Sequence, residues 1–113
     1  MRWYETIIAA HTAVTDAVSH AQRMKSDRYF VWQEDGAADY IAGGQHGEKA
    51  RTGTTDLFTK QEFDPWVDAL GGSFDALGIA WYINMAEYEP DSGFYHTEWV
   101  WGVQDGPDTI QGA

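Results

Sequence analysis

The chain has no cysteine, only three prolines, and seven lysines and arginines set against eighteen acidic residues. Without cysteine there are no disulfides, no thiolate metal sites and no cysteine nucleophile, a usage that fits the cytoplasm of a cell. No run of about twenty apolar residues is present, which excludes a transmembrane helix on sequence grounds. The opening segment MRWYETIIAAHTAVTDAVSH is interrupted by Glu5, His11 and Asp16 and has no small-residue cleavage site, so it does not read as a signal peptide. The shortage of positive charge is the strongest exclusion. A formal net charge of −11 argues against an ordinary nucleic-acid-binding domain, which needs a cationic footprint to release counterions. Three readings of the acidity stay open: solubility, mimicry of DNA, and an anionic wall past which DNA slides without sticking.

What the chain does have is aromatic and apolar residue, 15% and 43% of 113 residues, enough for one folded domain. The aromatics concentrate in Ile79 to Val103, which reads as a long β-hairpin closed by Pro90-Asp91-Ser92-Gly93. On its second strand Tyr95, Thr97, Trp99, Trp101 and Val103 share one face, and Phe94, His96, Glu98 and Val100 the other. That much aromatic area must pack on a helix of the same chain or on another subunit.

Upstream, Trp3, Ile7, His11, Val14, Val18 and Ala21 recur at helical spacing and predict an amphipathic helix ending near Met24. Arg28 to Gln33 reads as a strand, Glu34-Asp35-Gly36 as a turn, and Asp39 to Ala42 as the returning strand. Gly43 to Gly47 reads as a loop, and Glu48 to Phe58 as a third strand with Gly53 as a bulge position. A second helix starts either at the capping-box segment Thr59 to Glu62 or after Asp64-Pro65. Its apolar stripe is Phe63, Trp66, Val67, Leu70, Phe74 and Leu77. Gly71-Gly72 weakens it unless a backbone must come close to another element. The expected fold is a single α+β domain over residues 1–103, with about five mainly antiparallel strands and two helices on one face. The order is α-β-β-β-α-β-β, and residues 104–113 are expected to be a flexible tail.

Candidate chemistry is thin. Four histidines are the obvious acid–base or ligand groups: His11, His20, His46 and His96. His11 lies in the apolar stripe and reads as a buried, satisfied side chain. His20 and Asp16 have the i, i+4 spacing of a surface helix pair, and no third metal ligand accompanies them. His96 and Glu98 share a strand face, but no serine lies in a nucleophile elbow to complete a triad. The glycine pairs lack the lysine of a phosphate loop, and Glu87, Glu89 and Asp91 do not fit an EF-hand register. The expectation is a protein without catalytic residues, cofactor or metal.

Several of these stretches together resemble the tail terminator and tail completion (minor tail) proteins of long-tailed phages. The residues that carry the resemblance are the helix from Thr6 to Met24, the three-strand segment, QEFDPWVDAL over 61–70, and above all YEPDSGFY over 88–95 leading into the final aromatic strand. The strand RYFVW departs from the pattern in lacking a proline-rich entry. The resemblance implies a non-catalytic virion structural or assembly protein at the head–tail junction, capping the tail tube as a homo-oligomeric, hexameric ring. Its partners would be further copies of itself, the tail tube protein and a head-completion protein, with DNA only passing through the lumen and no membrane. The protein would reside in the host cytoplasm before assembly and in the virion afterwards. Candidate interface residues are Tyr82, Tyr95, Trp99 and Trp101, with core packing under the helices as the competing reading. Candidate acidic lumen or rim residues are Glu34, Asp35, Asp39 and Glu48. Other readings within reach are a head–tail joining or minor capsid protein, a DNA-mimicking inhibitor, and a sugar-binding module using exposed aromatics.

Overall fold

A computed structural model describes residues 1–39 and 49–104. Helix α1 spans Trp3–Thr12, strand β1 Val18–His20, β2 Arg28–Asp39, β3 Lys49–Thr59, helix α2 Trp66–Ala76, β4 Ala80–Glu89 and β5 Phe94–Gln104. The strands form one sheet in the order β1-β2-β3-β5-β4, parallel between β1 and β2 and antiparallel elsewhere. The α-β-β-β-α-β-β order and the single α+β domain are as expected, and β3 lies where the third strand is read from sequence. Strand β1, however, comes from residues expected to be helical, and β2 runs on from the expected first strand through its turn.

The first helix is half its expected length. Thr12, Val14, Thr15 and Val18 are β-branched, and Thr12 Oγ1 turns back to donate to the Ile8 carbonyl, 3.0 Å away. Thr15 Oγ1 then accepts from the Ala17 amide at 3.1 Å, a local turn that competes with the helix. The chain re-emerges as β1, whose Val18, Ser19 and His20 lie beside Phe30, Val31 and Trp32. The expected His20–Asp16 helix pair therefore does not exist. Strand β2 also runs straight through Glu34-Asp35-Gly36, expected to be a turn, with a bulge there. Asp39 ends this strand rather than opening a return strand, and residues 40–48, with the loop Gly43–Gly47, lie outside the described residues.

The bulge places its extra residue in β2, not at Gly53 as expected. Gly53 pairs with Glu34 opposite the irregularity. A Cβ there would collide with the Gln33 carbonyl and the Trp101 indole, so glycine is required by close approach. Gly71 is required likewise, because its Cβ would lie 2.9 Å from the Trp81 ring, whereas Gly72 faces open space.

Helix α2 begins where the Asp-Pro signal put it. Asp64 Oδ1 accepts from the Trp66 amide at 2.9 Å, satisfying one orphan donor of the first turn. The alternative start at Thr59 is absent, since Thr59 is the last residue of β3. Both helices lie on one face of the sheet. There Ile7, Ala10, Leu70 and Phe74 close over Phe30, Trp32, Leu57, Trp99, Trp101 and Val103. Ser73 Oγ ties the helices together by donating to the Ala10 carbonyl at 2.7 Å. The other face carries a smaller cluster, Tyr29, Val31 and Phe58, covered in part by Ala17, Met24 and Phe94. Gln104, expected in the tail, still belongs to β5, and residues 105–113 lie outside the described part. Among the described residues no helix is long and apolar enough to cross a membrane.

Candidate functional site

The hairpin places its residues as the alternation predicts. Trp99 and Trp101 point under the helices, 0% and 1% exposed, and are core rather than interface. Tyr82 is 58% exposed and Tyr95 half-buried, so of the four interface candidates only these two reach the surface. The competing reading of the two tryptophans as core is the right one.

Each placed histidine is held by defined partners. His11 is fully buried, edge-on to Phe30 and Phe74 at ring separations of 5.5 and 5.7 Å. Its Nδ1 donates to the Ile7 carbonyl at 2.7 Å, which leaves Nε2 to accept from the Thr55 hydroxyl at 2.9 Å. Thr55 Oγ1 in turn accepts from Trp101 Nε1 at 3.0 Å. With the proton on Nδ1, every group in this chain of bonds is satisfied while His11 stays a neutral ring. Desolvation by burial pushes its pKa down to about 4, against the opposing pull of the Ile7 carbonyl.

On the opposite face His96 is treated in the contrary way. Its Nε2 meets Asp56 Oδ1 at 2.6 Å and its Nδ1 meets Glu89 Oε2 at 3.1 Å, while the ring stacks on Phe58 at 4.3 Å. Partial burial works against the charge, but hydrogen bonds and charge from Asp56 and then Glu89 outweigh it and raise the pKa. Glu98, the expected orienter, instead accepts from Asn84 Nδ2 at 2.9 Å. With both ring nitrogens committed to carboxylates, His96 has no free nitrogen to offer a substrate. Ligand atoms of Glu87, Glu89 and His96 lie within 4.8 Å of one another, close enough to share a metal ion. Glu89 and His96 already satisfy each other there, which is the geometry of an ion pair.

His20 stacks on Trp32 at 4.1 Å and bonds Glu34 Oε1 at 2.7 Å; this bond, before any other cause, lowers the Glu34 pKa. Glu34 is therefore a paired acid, and Asp35 accepts from Thr52 Oγ1 at 2.6 Å. Asp39 lies at the end of β2, while Glu48 and His46 fall outside the described residues. Of the four candidate lumen acids, Glu34 and Asp35 are thus placed on β2 with partners of their own.

A groove of about 490 Å³ lies on the helix side of the sheet, past the N-terminal end of α2. Its floor is the outer part of the hairpin, including Tyr88 and Tyr95, whose rings lie 4.8 Å apart. Its wall is the segment from Thr59 to Asp68. That wall is anchored by Asp64, which takes two bonds from Arg28 and one from Thr59 Oγ1 at 2.8 Å. Burial alone would raise the Asp64 pKa, and the bonds from Arg28, the Trp66 amide and Thr59 bring it below the usual range. Arg28 itself lies 3.7 Å above the Trp66 ring. Sequence reasoning missed this groove. Phe63, expected in the helical stripe, precedes the cap and is 90% exposed. The Asp64-Pro65 cap was the signal that could have excluded Phe63 from the helix.

No protein-family model and no curated protein matches the chain. Among solved structures its fold is similar to a chain of the assembly described as the virion of native gene transfer agent (GTA) particle. The TM-score is 0.50 and the identity 12%, over 91% of this chain and 90% of that one.

Proposed function

We propose that this chain is a non-catalytic virion structural or assembly protein acting at a head–tail junction, where it caps a tail tube as a ring-forming terminator. The observation that carries the reading is the similarity of fold to a virion chain along nearly the whole of both molecules. It is joined to the tail-terminator resemblance of the hairpin, whose turn and strands run from Tyr88 through Gly93 into β5. The histidine chemistry supports a role without catalysis. His11 is locked in the core, His20 is paired with Glu34, and His96 is held between carboxylates. Tyr82 on the outermost strand is a side chain available for contact between copies. A closed ring needs a heterologous contact of this kind rather than a self-complementary patch. The acids at Glu34 and Asp35 suit a surface that DNA passes without binding.

Electron microscopy of particles assembled with and without the gene tests the proposal. Overlong, ragged tail tubes in its absence are the expected result. Tails of normal length beside unjoined heads would move the role to head–tail joining. Normal infectious particles would remove the virion reading altogether.

A further inference from the structure

The groove beside α2 combines two chemistries that an idle surface has no reason to combine. Phe63, Tyr88 and Tyr95 give it aromatic walls, and Glu62 and Asp68 stand along it. No lysine or arginine is among the described residues that line it. Asp64 also lies on the wall, but Arg28 already neutralises it, whereas Glu62 and Asp68 have no salt-bridge partner among the described residues, and the Glu87 carboxylate turns to the other face beside His96. Tyr95 reports the resulting field: burial, then the charge of Glu62 and the neighbouring Tyr88, raise its phenolic pKa. Phe63 holds φ at +54°, a left-handed backbone that a bulky side chain rarely adopts, and it spends that strain on a ring aimed into solvent. The strain is maintained by the next residue, Asp64, clamped by Arg28 and Thr59.

Strand β4 adds the second element. It is the outermost strand on its side of the sheet, so among the described residues one row of its backbone donors and acceptors has no neighbouring strand. A bulge between Ile83 and Met85 leaves Met85–Glu89 as the regular stretch, and three residues of that stretch, Ala86, Glu87 and Tyr88, border the groove. An extended segment added there would place every second side chain over the groove.

We infer that this groove docks an extended, cationic segment of a partner protein along the β4 edge, with a lysine or arginine seated among Phe63, Tyr88 and Tyr95. The aromatic faces and the acids both favour a cation, and neither favours an anion. A second copy of this chain fits poorly, since it brings eighteen acids and only seven basic residues to an acidic rim. The inference concerns the groove alone and does not rest on the virion reading.

The test is selection of a random peptide library displayed on phage against the full chain, followed by affinity measurement with the synthesised leading peptide. The expected peptides are extended, carry lysine or arginine between apolar residues, and bind about tenfold more weakly to Phe63→Ser and to the double variant Glu62→Gln, Asp68→Asn. Replacing the peptide's basic residue by norleucine should cost a similar factor. All three positions are exposed, and a thermal melt of each variant confirms that the fold is kept. The inference is overturned if no sequence is enriched, if the enriched peptides lack a basic residue or copy a segment of this chain, or if they bind both variants as well as the parent.

Discussion

Thr55 and Asp56 are neighbours on β3, and they face two different solvents. Thr55 points under the helices, fully buried, and joins Trp101 to His11 in a chain of neutral hydrogen bonds. Asp56 points to the other face and holds a charged His96 together with Glu89. One histidine is thereby kept deprotonated and the other protonated by a single strand. The difference lies in cover. Two helices seal the first face, so a charge there could not be solvated, and the ring is neutral. Among the described residues the second face is covered only in part, by Ala17, Met24 and Phe94, so water remains near and an ion pair is tolerated.

The sharpest way to break this contrast is Thr55→Val, which keeps the shape and removes the hydroxyl. It strands His11 Nε2 and Trp101 Nε1 in a dry core, and we expect a loss of about 4 kcal/mol in urea unfolding. A loss below about 1 kcal/mol would mean that the bonds are not closed as described.

The two histidines should then bend the pH dependence of stability in opposite directions. The folded pKa of His11 is lowered to about 4 from 6.5. As pH falls below 6.5 the unfolded chain takes up a proton that the folded chain refuses. Stability is therefore full above 6.5 and falls by about 3 kcal/mol on the way to the folded value. The folded pKa of His96 is raised. Its contribution is full below 6.5 and is lost as pH rises through the folded value. Stability should peak near pH 6.5 for these two groups, and urea midpoints between pH 5.5 and 8 check it. Asp56→Asn should flatten only the alkaline limb, cost about 2 kcal/mol at pH 6.5, and move the His96 titration downward by NMR. A variant that also altered the acid limb would show that the two faces are coupled.

The same division explains what could be read from sequence. The final hairpin was legible because its alternation and its Pro-Asp-Ser-Gly turn are local signals, and the start of α2 because Asp-Pro is one. His11 was legible as a buried group for the same reason. The end of α1 was not. Val14 and Val18 continue the helical period and do pack against the core, but from a turn and a strand. Burial periodicity was right there while its geometric cause was wrong. The His96 site was hidden because Asp56 lies 40 residues away and meets His96 only through the β3–β5 register, where Phe58 pairs with His96 and Asp56 with Glu98. No spacing within either strand carries that information.

A last and smaller contrast sits on β5 itself. Trp99 and Trp101 share the sealed face and are equally buried, yet Trp101 Nε1 donates to Thr55 while Trp99 Nε1 has no partner among the described residues. Replacing either by phenylalanine removes similar apolar area, so the difference between the two isolates the hydrogen bond. Trp101→Phe leaves the Thr55 oxygen without its donor. Trp99→Phe removes a buried N–H that was already unsatisfied, which offsets part of the lost packing. Trp101→Phe should therefore be the costlier by about 1 kcal/mol in urea midpoints at pH 7. Equal losses would mean that Trp99 Nε1 has a partner, such as a buried water, and that the sealed face is wetter than its packing implies.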